Sequence, residues 1–260
     1  MISIIVLTKN EEKNIEACLK TLKWGDEIIV IDDHSNDQTV KLAETQGAKV
    51  FTRELNDDFA GQRNYALRQA QGEWVLFIDA DERVSPQLRA EIKSAISHCE
   101  ATSSAYQSTA ISGYYLKRQD YLWGRALKHG ETSRVKLLRL AQKSAGNWQR
   151  KVDETWEITG KTGTLKNPLD HRSHSSMTQF LKSVNFKSTL NARVFYEEGK
   201  RTRLWDWLKP KAKFFQNWIL RLGFLDGMEG LIMALMMSFH SFLVRSKLYL
   251  LWKKEGGWGR

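Results

Sequence analysis

Cysteine and proline are scarce in this chain of 260 residues, with two of the first and three of the second. Cys18 and Cys99 are too few for a disulfide framework and lack metal-finger spacing, which fits a reducing compartment. No glycine-rich G-x-G-x-x-G follows the first apolar segment, and no G-x-x-x-x-G-K-[ST] is present. A dinucleotide oxidoreductase and a P-loop enzyme would each need one of them. No apolar run reaches the roughly 20 residues of a membrane-spanning helix. The longest, Leu231 to Val244, is broken only by Ser238, His240 and Ser241. The N-terminal MISIIVLTKN is about one strand long and has no small-residue cleavage site, so it reads as a first strand and not as a signal peptide. Repeats and low-complexity tracts are absent as well.

What is present suits a folded enzyme-sized domain. Hydrophobic residues make up 42% and charged residues 27%, proportions that exclude disorder. The length allows one α/β core with an appendage. A net charge of +10 calls for an anionic partner: nucleic acid, acidic lipid or a phosphorylated substrate. Seven Lys/Arg stand between Lys200 and Arg221 against Asp206 alone, interleaved with Trp205, Trp207, Phe214, Phe215 and Trp218. That mixture favours a membrane surface.

Along the chain, Ile2–Leu7 is a continuous apolar run, the pattern of a parallel strand covered on both faces. A helix over 11–22 follows, with Asn10 as its N-cap. Strands at Glu27–Ile31, Lys49–Thr52 and Trp74–Ile78 alternate with helices over 39–46 and 60–70. This βαβαβαβ order predicts a mostly parallel, doubly wound sheet whose ligands gather beyond the carboxyl ends of the strands. Three polar clusters fall at that edge: Thr8 to Glu11, Asp32-Asp33 and Asp79-Ala80-Asp81. From Ser85 to Gly163 the pattern is less regular, with a strand expected at Gly113–Leu116. Beyond Leu165 the chain reads as helical over 177–198, 204–222 and 227–252.

Asp79 and Asp81 flank one residue at a strand end, where a sharp turn can aim both at one cation. Mg²⁺ and Mn²⁺ take oxygen ligands and commonly use one or two protein carboxylates, leaving other positions to substrate phosphates. An acidic turn before the helix that starts near Ser85-Pro86 is the alternative. An aspartyl phosphatase would carry its D-x-D after the first strand, not the fourth.

The runs Ile4 to Glu12, Ile28 to Asp37, Gln62 to Leu67 and Gly72 to Glu82 resemble those of inverting family 2 glycosyltransferases. Val152-Asp153-Glu154, His171 to Ser175, Gly223 to Gly227 and Lys247-Leu248-Tyr249 resemble the branch that includes bacterial lipopolysaccharide inner-core glucosyltransferases. The resemblance implies a GT-A fold, with residues 1–165 as catalytic domain (1–100 binding nucleotide-sugar, 101–165 the acceptor) and 166–260 as a helical extension. Thr8, Asn10, Glu11, Asp32 and Asp33 would line the nucleoside pocket, although many relatives carry a tyrosine where Lys9 stands. Arg63 would approach the diphosphate; Asp79 and Ala80 would contact the donor. Asp81 with Asp79 would hold Mg²⁺ or Mn²⁺, and His171 or His174 could add a ligand or a phosphate contact. Inversion needs a general base opposite the leaving group, and Glu154, with Asp153 as the other choice, is the expected one.

The expected reaction moves a hexose, with glucose first choice, from a UDP-sugar to a lipid-linked saccharide such as a lipopolysaccharide inner core. Nucleic acid is not an expected partner. The tail is expected to lie on an anionic membrane at its cytoplasmic face, or to pack on the catalytic domain or a second copy of the chain. Two other functions fit less of the sequence: a non-catalytic polyanion-binding module, and a sugar nucleotidyltransferase.

Overall fold

The computed structural model describes residues 1–103 and 111–254, with backbone alone at 100–103. Residues 104–110 of the expected acceptor half, and Trp258 of the tail, lie outside the described residues. Two compact units emerge, one holding the chain to Arg118 and Val135–His171, the other Gln119–Arg134 and the chain from Arg172 onward.

The first unit is built on β1 (Ile2–Thr8), α1 (Ile15–Lys20), β2 (Glu27–Asp32), α2 (Thr39–Thr45), β3 (Lys49–Thr52), α3 (Phe59–Gln69) and β4 (Trp74–Asp79). β5 (Glu82–Arg83), α4 (Pro86–Ser103) and β6 (Ile111–Leu122) follow, and β6 runs on into the second unit, where it meets β7 (Arg125–Ala126). The first unit then adds β8 (Lys136–Gln142), β9 (Gly146–Gln149), β10 (Thr155–Ile158), β11 (Lys161–Thr164) and β12 (Leu169–His171). The sheet order is β3-β2-β1-β4-β8-β6-β12-β5. β1 to β4 pair in parallel, and β8 pairs antiparallel with both β4 and β6. The sheet is therefore mixed, parallel across β1 to β4 as the alternation predicts.

Strand periodicity divides two cores. Ile2, Ile4 and Val6 of β1, with Trp74, Leu76 and Ile78 of β4, pack with Ile15, Cys18, Leu19 and Leu88 on one face. Ile5, Val75 and Phe77 face the other, with Ala66 and Leu67 of α3 and with Trp148 and Trp156 of the β9–β10 ribbon. Successive side chains point to opposite faces of a strand; burying both faces requires the unbroken apolar runs seen in the sequence.

At the sheet edge where β1 begins, buried Ser3 donates to Glu27 at 2.6 Å, and the Gln71 and Gly72 amides donate to Glu27 and Ser3. Gly72 must lack a side chain, since a Cβ there would lie 2.6 Å from the Ser3 nitrogen. Lys49 closes the network on Glu27 at 2.8 Å. Burial by itself raises the Glu27 pKa, but bonds from Lys49, Ser3 and Gln71 hold it below its ordinary value.

Several expected elements are redrawn. Asn10 does not cap a helix: its φ is 54°, its side-chain oxygen accepts from the Asn36 amide, and the regular helix begins only at Ile15. α3 is capped by Asp58, which accepts from the Gly61 amide at 2.8 Å. The expected helix over 204–222 is a 3₁₀ turn Leu204–Leu208, α6 (Lys209–Phe215) and a π segment Gln216–Leu220.

The second unit packs α5 (Met177–Glu197) and α6 against α7 (Gly227–Lys254). Leu122, Leu127, Phe180, Val184 and Met236 form its core. The apolar run 231–244, too short to span alone, is the centre of a 28-residue helix. Among the described residues, this is one helix long and apolar enough to cross a membrane by length and composition. Polar bonds tie it sideways: Lys247 reaches Asn185, Ser188 and Thr189 of α5, and Ser238 donates to the Pro210 carbonyl.

Candidate active site

The carboxyl ends of β1, β2 and β4 set Thr8, Asp32 and Asp79 along one edge, because the register pairs Thr8 with Asp32 and Leu7 with Asp79. Two regions develop there, one at the first two strands and one at β4.

At the first, the loops after β1 and β2 are sewn together. The Asn10 amide donates to the Ser35 hydroxyl, the Asn36 amide to the Asn10 side chain and the Glu11 amide to Thr39. Asp32 is spent within its own loop on Ser35. Asp33 accepts from the Leu55 amide at 3.0 Å and from Lys9 at 2.7 Å. Lys9 is thus a cation beside the second strand tip. The buried Thr8 hydroxyl has no hydrogen-bond partner among the described residues. Burial first, then Asp81 and Asp37, raise the Glu11 pKa against the bond from Asn14.

At the second region α3 and β8 each bring an arginine to the Asp79 carboxylate at the end of β4. Arg63 of α3 is 3% exposed; its Nη2 donates to Asp79 at 3.0 Å and its Nε to Glu154 at 2.8 Å. Arg139 of β8 donates from Nη2 to the other Asp79 oxygen at 2.7 Å. β8 runs antiparallel to β4 with Leu76 opposite Leu140, so Arg139 is the next β8 residue toward the carboxyl end of β4, from where its side chain reaches Asp79. Burial opposes ionisation of Asp79, yet Arg139 and Arg63 hold its carboxyl far below the usual range. Ala80 is buried at this turn, and its carbonyl accepts from Arg83.

Fully buried Glu82 accepts from the Asp79 amide at 2.8 Å, while its other oxygen has no hydrogen-bond partner among the described residues. Burial, and then the Asp79 charge, push its pKa up to about 7. β5 pairs with β12 so that His171 stands opposite Glu82, and His171 Nε2 comes within 3.3 Å of Asp81 Oδ2.

Asp81 and His171 suit a divalent ion. Ligand bonds of about 2.1 Å at adjacent octahedral positions separate the two donor atoms by about 3.0 Å, close to the spacing seen. A carboxylate with an imidazole is a donor set that Mn²⁺ accepts. Asp79 differs, since both its oxygens are engaged by guanidinium groups. Among the described residues no group of three His, Cys, Asp or Glu forms a ligating set, so substrate phosphates and water would have to complete the shell. His174 lies in the other unit, its ring stacked 4.1 Å from Phe180.

Of the two carboxylates after β9, Glu154 turns to Arg63, whereas Asp153 is exposed with a φ of 51°. Sequence reasoning missed Arg139 and Glu82. Both carried a signal: an arginine inside the apolar run Leu137 to Ala141, and a third carboxylate directly after the D-x-D pair.

The chain has relatives along nearly its whole length. An uncharacterized glycosyltransferase of Rickettsia typhi is 28% identical, covering 95% of this chain and 86% of its own length. The lipopolysaccharide core biosynthesis glycosyltransferase LpsC of Rhizobium meliloti is also 28% identical, over 95% of this chain and 92% of its own. Among solved structures, S. aureus TarS 1–349 with UDP-GlcNAc superimposes with a TM-score of 0.50 at 16% identity, over 100% of this chain and 93% of that one. The mannosyltransferase PcManGT of Pyrobaculum calidifontis, with GDP-Man and Mn²⁺, gives 0.52 at 13% identity, over 97% and 87%. These likenesses support a GT-A fold. The profile of glycosyl transferase family 2 matches residues 3–157, well over half of the chain, and the protein belongs to that family.

Proposed function

We propose that the protein is an inverting, metal-dependent hexosyltransferase that moves glucose from UDP-glucose to a lipid-linked saccharide of the lipopolysaccharide-core type. The carrying observation is the Asp79–Arg63–Glu154 bridge, which sets the expected base one guanidinium away from the tip of β4. Family membership supports transfer of a sugar. The UDP-GlcNAc held by TarS and the GDP-Man and Mn²⁺ held by PcManGT support a nucleotide donor and a cation. LpsC, named for lipopolysaccharide core biosynthesis, supports the acceptor class.

Glu154 Oε1 is fixed by Arg63, and its Oε2 has no hydrogen bond to another described residue. One tethered oxygen and one available oxygen describe an oriented general base. The acceptor oxygen bonds to the anomeric carbon on the face opposite the diphosphate as the bond from that carbon to the phosphate oxygen breaks. The acceptor proton passes to Glu154, and UDP leaves with the bonding pair. Asp81 and His171 would hold Mg²⁺ or Mn²⁺, whose chemistry is to offset the charge gathering on the departing phosphates. Asp33, Thr8, Asn10 and Glu11 are assigned to the nucleoside.

The helical unit serves a peripheral role at the cytoplasmic face of an anionic membrane, where such an acceptor would be presented; its helices are also the surface on which a second copy would pair. Two substitutions test the chemistry. Glu154→Gln is expected to keep UDP binding with Mn²⁺ and to lose at least about 100-fold in transfer, the scale of general-base catalysis. Asp81→Ala is expected to abolish the dependence of UDP binding on Mn²⁺ while the protein stays folded. Wild-type turnover in either variant would refute the mechanism.

A further inference from the structure

We infer that Arg63 is a positioning residue for the base Glu154, and not a ligand of the donor diphosphate; this rests on the reading of Glu154 as the base. Three observations carry it. The guanidinium is buried, and its Nη1 is enclosed without a hydrogen-bond partner among the described residues, a poor setting for a group that must meet a solvated diphosphate. It packs against aromatic rings, its central carbon 4.7 Å from the Trp148 centroid and 5.5 Å from that of Phe77. Trp148 is itself immobilised, stacked on Trp156 at 5.4 Å and pinned at its backbone by both ends of the Asn64 amide.

The neighbours Arg63 and Asn64 therefore do one job from one turn of α3. Asn64 holds the β9–β10 ribbon; Arg63 reaches past it to the residue that leads into β10. A planar guanidinium held at Nη2 by Asp79 presents its Nε to Glu154 in a set direction, which a lysine ammonium, a point charge on a flexible stem, does not. Asp79, saturated by Arg139 and Arg63, is the fixed anchor of this arrangement.

The experiment compares Arg63→Lys, Glu154→Gln and the double variant, measuring UDP release from UDP-glucose with a lipopolysaccharide-core acceptor and titrating UDP plus Mn²⁺ by calorimetry. Arg63→Lys is expected to lower kcat about 10- to 100-fold, the scale of a misplaced catalytic group, with UDP affinity within about twofold of wild type. In the Glu154→Gln background the Arg63→Lys change should cost nothing more, because residues acting as a unit are not additive. A tenfold loss of UDP affinity, or additive losses in kcat, overturns the assignment of Arg63 alone. Full turnover of Glu154→Gln by itself overturns the reading of the base. Should Arg63→Lys fail to fold, Glu154→Asp, one methylene too short for the bond, carries the same expectation: lower kcat at unchanged UDP affinity. Undiminished kcat in Glu154→Asp overturns the inference.

Discussion

Arg139 shows how one buried side chain can gather the carboxylates of a candidate site. It faces Asp79 at 2.7 Å and Glu82 at 3.9 Å. Burial works against its charge, but Asp79, Glu82 and Glu154 together hold its pKa above the ordinary value. Removing one member of a buried ionic group leaves the others uncompensated, at a cost of about 3–5 kcal/mol. Arg139→Met is therefore expected to unfold at markedly lower urea concentration than wild type, and an unchanged midpoint would show that Asp79 and Glu82 are not paired through it. The sequence displays this residue as a charge in an apolar strand, but only the antiparallel pairing of β8 beside β4 reveals which carboxylates it meets.

At the scale of elements, β1 has two ends with opposite tasks. One end leads into the candidate-site loops, and the other is locked by Ser3, Glu27, Lys49 and the amides of Gln71 and Gly72. Glu27 titrates below its ordinary value of 4.5 in the fold. A depressed carboxyl stabilises the folded state above the unfolded pKa, and that contribution disappears as pH falls through the folded one. Glu27→Gln should thus be less stable than wild type near neutrality, with the gap narrowing as pH drops below 4.5 in urea titrations. A gap that is constant with pH would mean the Glu27 charge is not what the network uses. The strands of this half are legible in the sequence because each is an apolar run bounded by polar residues. Helix starts are less legible, because Asn10 offers a capping oxygen whose real partner, the Asn36 amide, is brought to it only by the pairing of β1 with β2.

On the scale of the whole molecule, the helical unit leaves a large apolar surface in water. Leu204 is 83% exposed, Trp205 80%, Leu220 66% and Met228 65%, amid the Lys and Arg of 200–221. Burying a large apolar side chain contributes about 1.5–3 kcal/mol. The pair change Leu204→Ser with Trp205→Ser is accordingly expected to weaken co-sedimentation with phosphatidylglycerol vesicles at least about tenfold. Added salt should weaken the wild type too, through screening of the basic residues. Equal binding by variant and wild type would remove these two side chains from the proposed membrane contact.

The sequence alone determined the parallel strands, the clusters at their carboxyl ends and the family, because periodicity and local spacing are properties of neighbours along the chain. The tertiary structure decided which charges share a site. Arg63, Asp79, Arg139 and Glu154 come from four separated segments, and His171 reaches Asp81 only through the pairing of two short strands. Long-range register of that kind depends on how whole strands pack, and leaves no mark in the spacing of any single motif.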